Sequence, residues 1–96
     1  MREKREPQKE GDFRVYVMIN RGNRRFVDIS EDVEGDVRMH NAGKQKWTAR
    51  FKPWKLEWKS DLLGYNKAIK LEKKIKGMKS GPGVLAIMGE SGEYML

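Results

Sequence analysis

Ninety-six residues suffice for one small domain with a single compact core. Charged residues make up 36% of the chain and apolar ones 38%, and the net charge is +7, which favours polyanions, nucleic acid first, as partners. The lack of cysteine excludes disulfides, thiolate zinc sites and cysteine nucleophiles, and no apolar run approaches membrane-spanning length. With no secretory segment visible, the chain is expected in the cytoplasm.

Residues 1–12 alternate charges around Pro7 and Gly11 and are expected to form a flexible charged tail ahead of a single domain over 13–96. From Phe13 to Ile19 the pattern alternates as in a strand, with Phe13, Val15, Val17 and Ile19 on one face and Arg14, Tyr16 and Met18 on the other. Asn20-Arg21-Gly22-Asn23 signals a turn, and Arg24–Ile29 returns as the second strand of a hairpin. A loop with an odd number of residues would place Tyr16 and Phe26 on one face beside Asp28, whereas an even one would set Tyr16 against Val27. Ser30 can cap a following helix whose first turn holds Glu31 and Asp32. Asp36 and His40 then lie one turn apart on a face shared with Val33 and Val37. His40 could be a core or capping residue or a catalyst, depending on its partner. Gly35 weakens this helix by about 1 kcal/mol relative to alanine, and Gly43 is a natural stop.

Lys44–Pro53 reads as a basic loop in which Lys44, Lys46, Arg50 and Lys52 surround Trp47 and Phe51. Such interleaving can hold phosphates and stack bases, or the two rings can pack beneath the loop. Trp54, Leu56 and Trp58 alternate with Lys55, Glu57 and Lys59, predicting a third strand with one inward tryptophan face. Over Ser60–Gly77 the apolar residues Tyr65, Ala68, Ile69, Leu71, Ile75 and Met78 occupy one side of a helical wheel, and Lys67, Lys70, Lys73 and Lys74 the other. Glu72 falls within the apolar arc, where it must meet a cation reaching in from the sheet or serve as a functional carboxylate. Ser80-Gly81-Pro82-Gly83 breaks the helix, and Val84–Met88 is expected to close the core. The expected fold is α+β, a three-stranded antiparallel sheet flanked by helices in the order β-β-α-β-α-α.

That succession resembles the small GIY-YIG nuclease domains over about Phe13 to Lys79. Arg14-Val15-Tyr16 and Phe26-Val27-Asp28 stand where the two signature triplets would be. Asp36-Val37-Arg38-Met39-His40-Asn41-Ala42-Gly43-Lys44 resembles the first helix and its exit, and Trp47-Thr48 followed by Lys52-Pro53-Trp54 resembles the approach to the third strand. Ala68–Lys76 resembles the metal-binding helix. The resemblance implies an endonuclease that hydrolyses DNA phosphodiesters with one divalent cation, magnesium or manganese. It further implies Glu72 as the metal ligand, Tyr16 as the tyrosine that activates or orients water, and His40 as the histidine one turn after a phosphate-stabilising arginine.

Three positions depart from the family pattern. Asp36 replaces that arginine, Asp28 replaces the glycine of the second triplet, and Phe26 replaces its tyrosine and so lacks the hydroxyl. Three readings follow. The domain could be catalytically impaired and kept for binding nucleic acid, DNA being the expected partner, through Lys44, Lys46, Arg50 and Lys52 with Lys70 and Lys73 second. It could be an active endonuclease in which Arg14, Arg24 or Arg25 stands in for the missing arginine. Or Asp28, Asp36, His40 and Glu72 could converge on a repurposed divalent-metal site. Neither the oligomeric state nor the shape of the nucleic acid follows from the sequence.

Overall fold

The computed structural model describes residues 11–78, 89 and 92–95. Its elements run β1 (Arg14–Asn20), β2 (Arg25–Ser30), α1 (Val33–Asn41), α2 (Lys46–Ala49), β3 (Trp54–Ser60), α3 (Tyr65–Met78) and β4 (Gly92–Tyr94). The antiparallel sheet has the order β2-β1-β3-β4. The α+β class stands, but the sheet has four strands where three were expected. The extra one pairs Glu93 with Lys59 and Tyr94 with Trp58, in a terminal stretch too short and too glycine-rich to declare itself as a strand. Charged residues 1–10 and the apolar stretch 84–88, with the last helix of the expected order, lie outside the described residues. Among the described residues no helix is long and apolar enough to cross a membrane.

Strand β1 is central because it is apolar on both faces. Val15, Tyr16, Val17 and Met18 are each no more than 1% exposed. Successive side chains alternate in direction, so this one strand feeds two clusters. Val15 and Val17 pack with Trp58, Ala68 and Ile75 under α3, while Tyr16 and Met18 pack with Val33 and Trp54 on the side of α1 and α2. The single tryptophan face expected for β3 is split. The β1–β3 register runs Val17↔Trp58 and then Met18↔Leu56, so Glu57 is an extra residue that bulges the strand and shifts the alternation by one. Trp58 therefore faces α3 while Trp54 and Leu56 face α1.

The hairpin loop is odd. Asn20 N–H donates to the Arg24 carbonyl at 3.1 Å, Asn23 takes φ +63°, and Tyr16 pairs with Asp28 and Met18 with Phe26. Asp32, not Ser30, caps α1, its carboxylate accepting from Gly35 N at 3.1 Å. Ser30 is committed to β2 opposite Arg14 and instead accepts from the Asp32 N–H. Gly43, at φ +80°, ends α1 as expected. Within the predicted basic loop, residues Lys46–Ala49 wind into a single helical turn.

The junction between α1 and β3 is held by one side chain. Asn41 donates from Nδ2 to the Trp54 carbonyl at 2.9 Å, and its Oδ1 accepts from the Trp54 N–H at 2.6 Å. Asn41→Ala leaves both backbone groups of a buried residue without these partners. It should cost about 2 kcal/mol, read as a lower denaturant midpoint at unchanged slope.

Candidate functional site

On the α1 side of the sheet, Tyr16 is wholly buried and its hydroxyl sits 3.0 Å from His40 Nε2 and 3.5 Å from Asp36 Oδ2. The next link is His40 Nδ1 to Thr48 Oγ1 at 2.8 Å, and the Thr48 hydroxyl lies 3.4 Å from the Gln45 carbonyl. Protons can be ordered along this chain in two ways, outward from Tyr16 to Gln45 or inward from Thr48 to Asp36. In both, the imidazole is neutral and both of its nitrogens are used. The one-turn spacing of Asp36 and His40 on α1 and the odd hairpin loop together bring these groups to one point. Thr48, buried and supplied by α2, completes the chain. Sequence reasoning gave Thr48 no role beyond a landmark, because a threonine inside a basic stretch carries no periodic signal.

The locus is anionic. Burial first, then the charges of Asp36 and Asp28, push the Tyr16 hydroxyl well above the usual tyrosine range, with Glu72 the least of the contributors. Burial also pulls His40 below the usual histidine range, against the opposing pull of Asp36 and Asp28. Asp28, opposite Tyr16 in the sheet, accepts from the Ile29 N–H at 2.8 Å. Phe26 meets His40 edge-on, with ring centroids 5.0 Å apart.

Glu72 is not hydrogen-bonded into this chain, although its charge reaches Tyr16. It is 9% exposed on the buried stripe of α3 with Ala68 and Ile75. Its cation is Lys76 Nζ at 3.1 Å, one turn along the same helix, and not a residue of the sheet as expected. A lysine stem long enough to fold back from an exposed position accounts for the difference.

Of the three arginines available to replace the missing one, Arg14 and Arg25 are engaged elsewhere. Arg14 donates to the Ser60 carbonyl, Arg25 grips Glu57 with two bonds of 2.7 and 2.9 Å, and Arg24 lies 4.2 Å from the Phe51 ring centroid. Lys44, Lys46, Arg50 and Lys52 are exposed around α2, on the same side as Tyr16. Lys70 and Lys73 are exposed on α3, across the sheet. The two basic groups therefore do not form one surface.

Among the described residues, no three histidine, aspartate or glutamate side chains are placed to share a metal ion. The repurposed site built from Asp28, Asp36, His40 and Glu72 is therefore not assembled. A single carboxylate such as Glu72 does fit magnesium or manganese, which keep most of their waters and take one or two protein oxygens.

Because His40 is held neutral below its ordinary value of 6.5, the unfolded chain binds more protons than the folded one as pH falls past that value. Stability should therefore be full above about pH 6.5 and be lost progressively below it. Denaturant unfolding at about pH 7 and about pH 5 should show a larger loss for the wild type than for His40→Gln, which lacks the imidazole.

No curated protein and no solved structure matches the chain at a significant level. The family model of the GIY-YIG catalytic domain matches residues 13–81. That span begins just before β1 and runs past α3, through every element that builds the site. On this match the chain belongs to the GIY-YIG family, whose domains are nuclease-type and act on nucleic acid.

Proposed function

We propose that this domain binds nucleic acid, DNA foremost, through the basic rim around α2, and that its hydrolytic activity is impaired. The observation that carries this reading is the Asp36 carboxylate 3.5 Å from the Tyr16 hydroxyl. A phosphodiester entering the locus needs a cation there, and loss of such a group costs roughly 3–5 kcal/mol of transition-state stabilisation. An aspartate adds repulsion to that loss. It also works against Tyr16 as a base, because a neighbouring carboxylate disfavours the phenolate. Glu72 is the residue that would hold a divalent cation, which when bound lowers the pKa of its water and polarises a phosphate. The engagement of Arg14 and Arg25 supports impairment over activity with a displaced arginine.

The wild type is expected to cut duplex or branched DNA marginally or not at all in magnesium or manganese. Asp36→Arg alone should tighten phosphate binding without restoring full cutting, since Phe26 still lacks a hydroxyl and Asp28 still adds charge. The triple change Asp36→Arg, Asp28→Gly and Phe26→Tyr should cut, and should stop cutting when Glu72→Ala is added. Robust metal-dependent cleavage by the wild type, abolished by Glu72→Ala, would overturn impairment.

Binding is a separate matter of charge. Lysine and arginine neutralise phosphates by releasing counterions, so affinity should fall steeply with salt. Replacing Lys44, Lys46, Arg50 and Lys52 by alanine should weaken binding and flatten the salt slope by about 3 to 4 in log–log terms, roughly one per cation. An unchanged slope would remove the rim from the interface.

A further inference from the structure

Beside the buried polar chain lies an aromatic ledge that the reading above does not use. Trp47, on the single turn α2, is 45% exposed. Phe51, Phe26 and Trp54 pack against it, at centroid distances of 5.1, 5.9 and 6.4 Å, and the two indoles are tilted by only 27°. The backing is fixed. Trp54 Nε1 donates to the Thr48 carbonyl at 2.8 Å, its backbone is clamped by Asn41, and the Thr48 side chain is tied to His40. An indole held in this way loses little freedom when something packs on its outer face.

The surroundings decide what that something is. Lys44, Lys46, Arg50 and Lys52 are exposed on the same short segment, and among the described residues none is in an ion pair with an acid. Arg24 and Arg50 lie 4.2 and 5.8 Å from the Phe51 centroid, so two guanidinium groups border the ledge. A flat apolar ring ringed by cations complements a polyanion that also offers flat apolar faces. Duplex DNA offers phosphates, but its base faces are occupied by stacking, so the cations alone would serve it. Unpaired nucleotides offer both.

We propose that the outer face of Trp47 stacks an unpaired base while the surrounding cations hold the flanking phosphates, so that single-stranded nucleic acid is the substrate class of this site. The proposal rests on the nucleic-acid-binding reading above and sharpens it. Phe26 touches both Trp47 and His40, so a base on the ledge stands next to the Tyr16–His40 locus.

The test compares fluorescence polarisation of a labelled oligothymidine with that of a duplex of equal length, at several salt concentrations. Trp47→Ala should lose roughly tenfold or more in affinity for the single strand, the range seen when one stacking ring is removed, with an unchanged salt slope and little change toward the duplex. Trp47→Tyr, which keeps a stacking ring and most of the packing, should retain most of the single-strand affinity. A wild type that binds both probes, joined by a Trp47→Ala that binds them as the wild type does, overturns stacking and leaves the nucleic-acid reading intact. Equal loss toward both probes, or a folded Trp47→Tyr as weak as Trp47→Ala, also overturns stacking. A wild type that binds neither probe at low salt overturns both readings.

Discussion

Strand β1 has no solvent face, and the rest of the molecule is arranged to satisfy that condition. Four consecutive residues without appreciable exposure need a layer on each side, which α3 supplies against Val15 and Val17 and α1 with α2 against Tyr16 and Met18. Pairing on both edges then follows, since the amide and carbonyl groups of a strand so deeply placed need partners. With only 96 residues, the core has little to spare. The bulge at Glu57 is part of the same arrangement, because it delivers Trp58 to one layer and Trp54 to the other from a single short strand.

Burial of Tyr16 also sets the chemistry. A phenol in the interior must find hydrogen-bond partners, and it finds His40 and Asp36. The His40 link continues to Thr48, so the polar chain that meets the buried hydroxyl also pins α2 to the domain. One network thereby joins the position where hydrolysis would occur to the segment that carries Trp47 and the basic rim. Carboxylates gather at its centre and cations at its edge. That polarity suits holding a phosphate chain along the rim better than drawing a phosphate into the middle. The lysines of α3 belong to a different surface, separated from this one by the full thickness of the sheet.

Much of this was legible from the residues in order. Period-two alternation marked the hairpin and the third strand, and the helical period of Tyr65–Met78 placed Glu72 on the buried stripe and the lysines in solvent. The spacing of Asp36 and His40 put them on one face, and the family resemblance drew them to Tyr16. What failed did so for identifiable reasons. Ser30 is as good a cap as Asp32 by residue type, but the sheet claims it first. Tyr65 belongs to the apolar arc by angle and is nonetheless 55% exposed, meeting Phe13 at a T-shaped angle from the first residue of α3.

By itself, then, the sequence determined the hairpin, the third strand, the two longer helices and the family, since these depend on local period and on residue identity at fixed spacings. Only the tertiary structure decided which groups meet. The odd hairpin loop set Asp28 opposite Tyr16, the bulge sent the two strand tryptophans to opposite layers, and the fold brought Thr48 to His40 across eight residues. It also decided that Phe26, Phe51 and Trp54 back an exposed Trp47, and that the two basic groups face away from each other. Such pairings depend on register and on the packing of layers, and neither leaves a periodic trace in the chain.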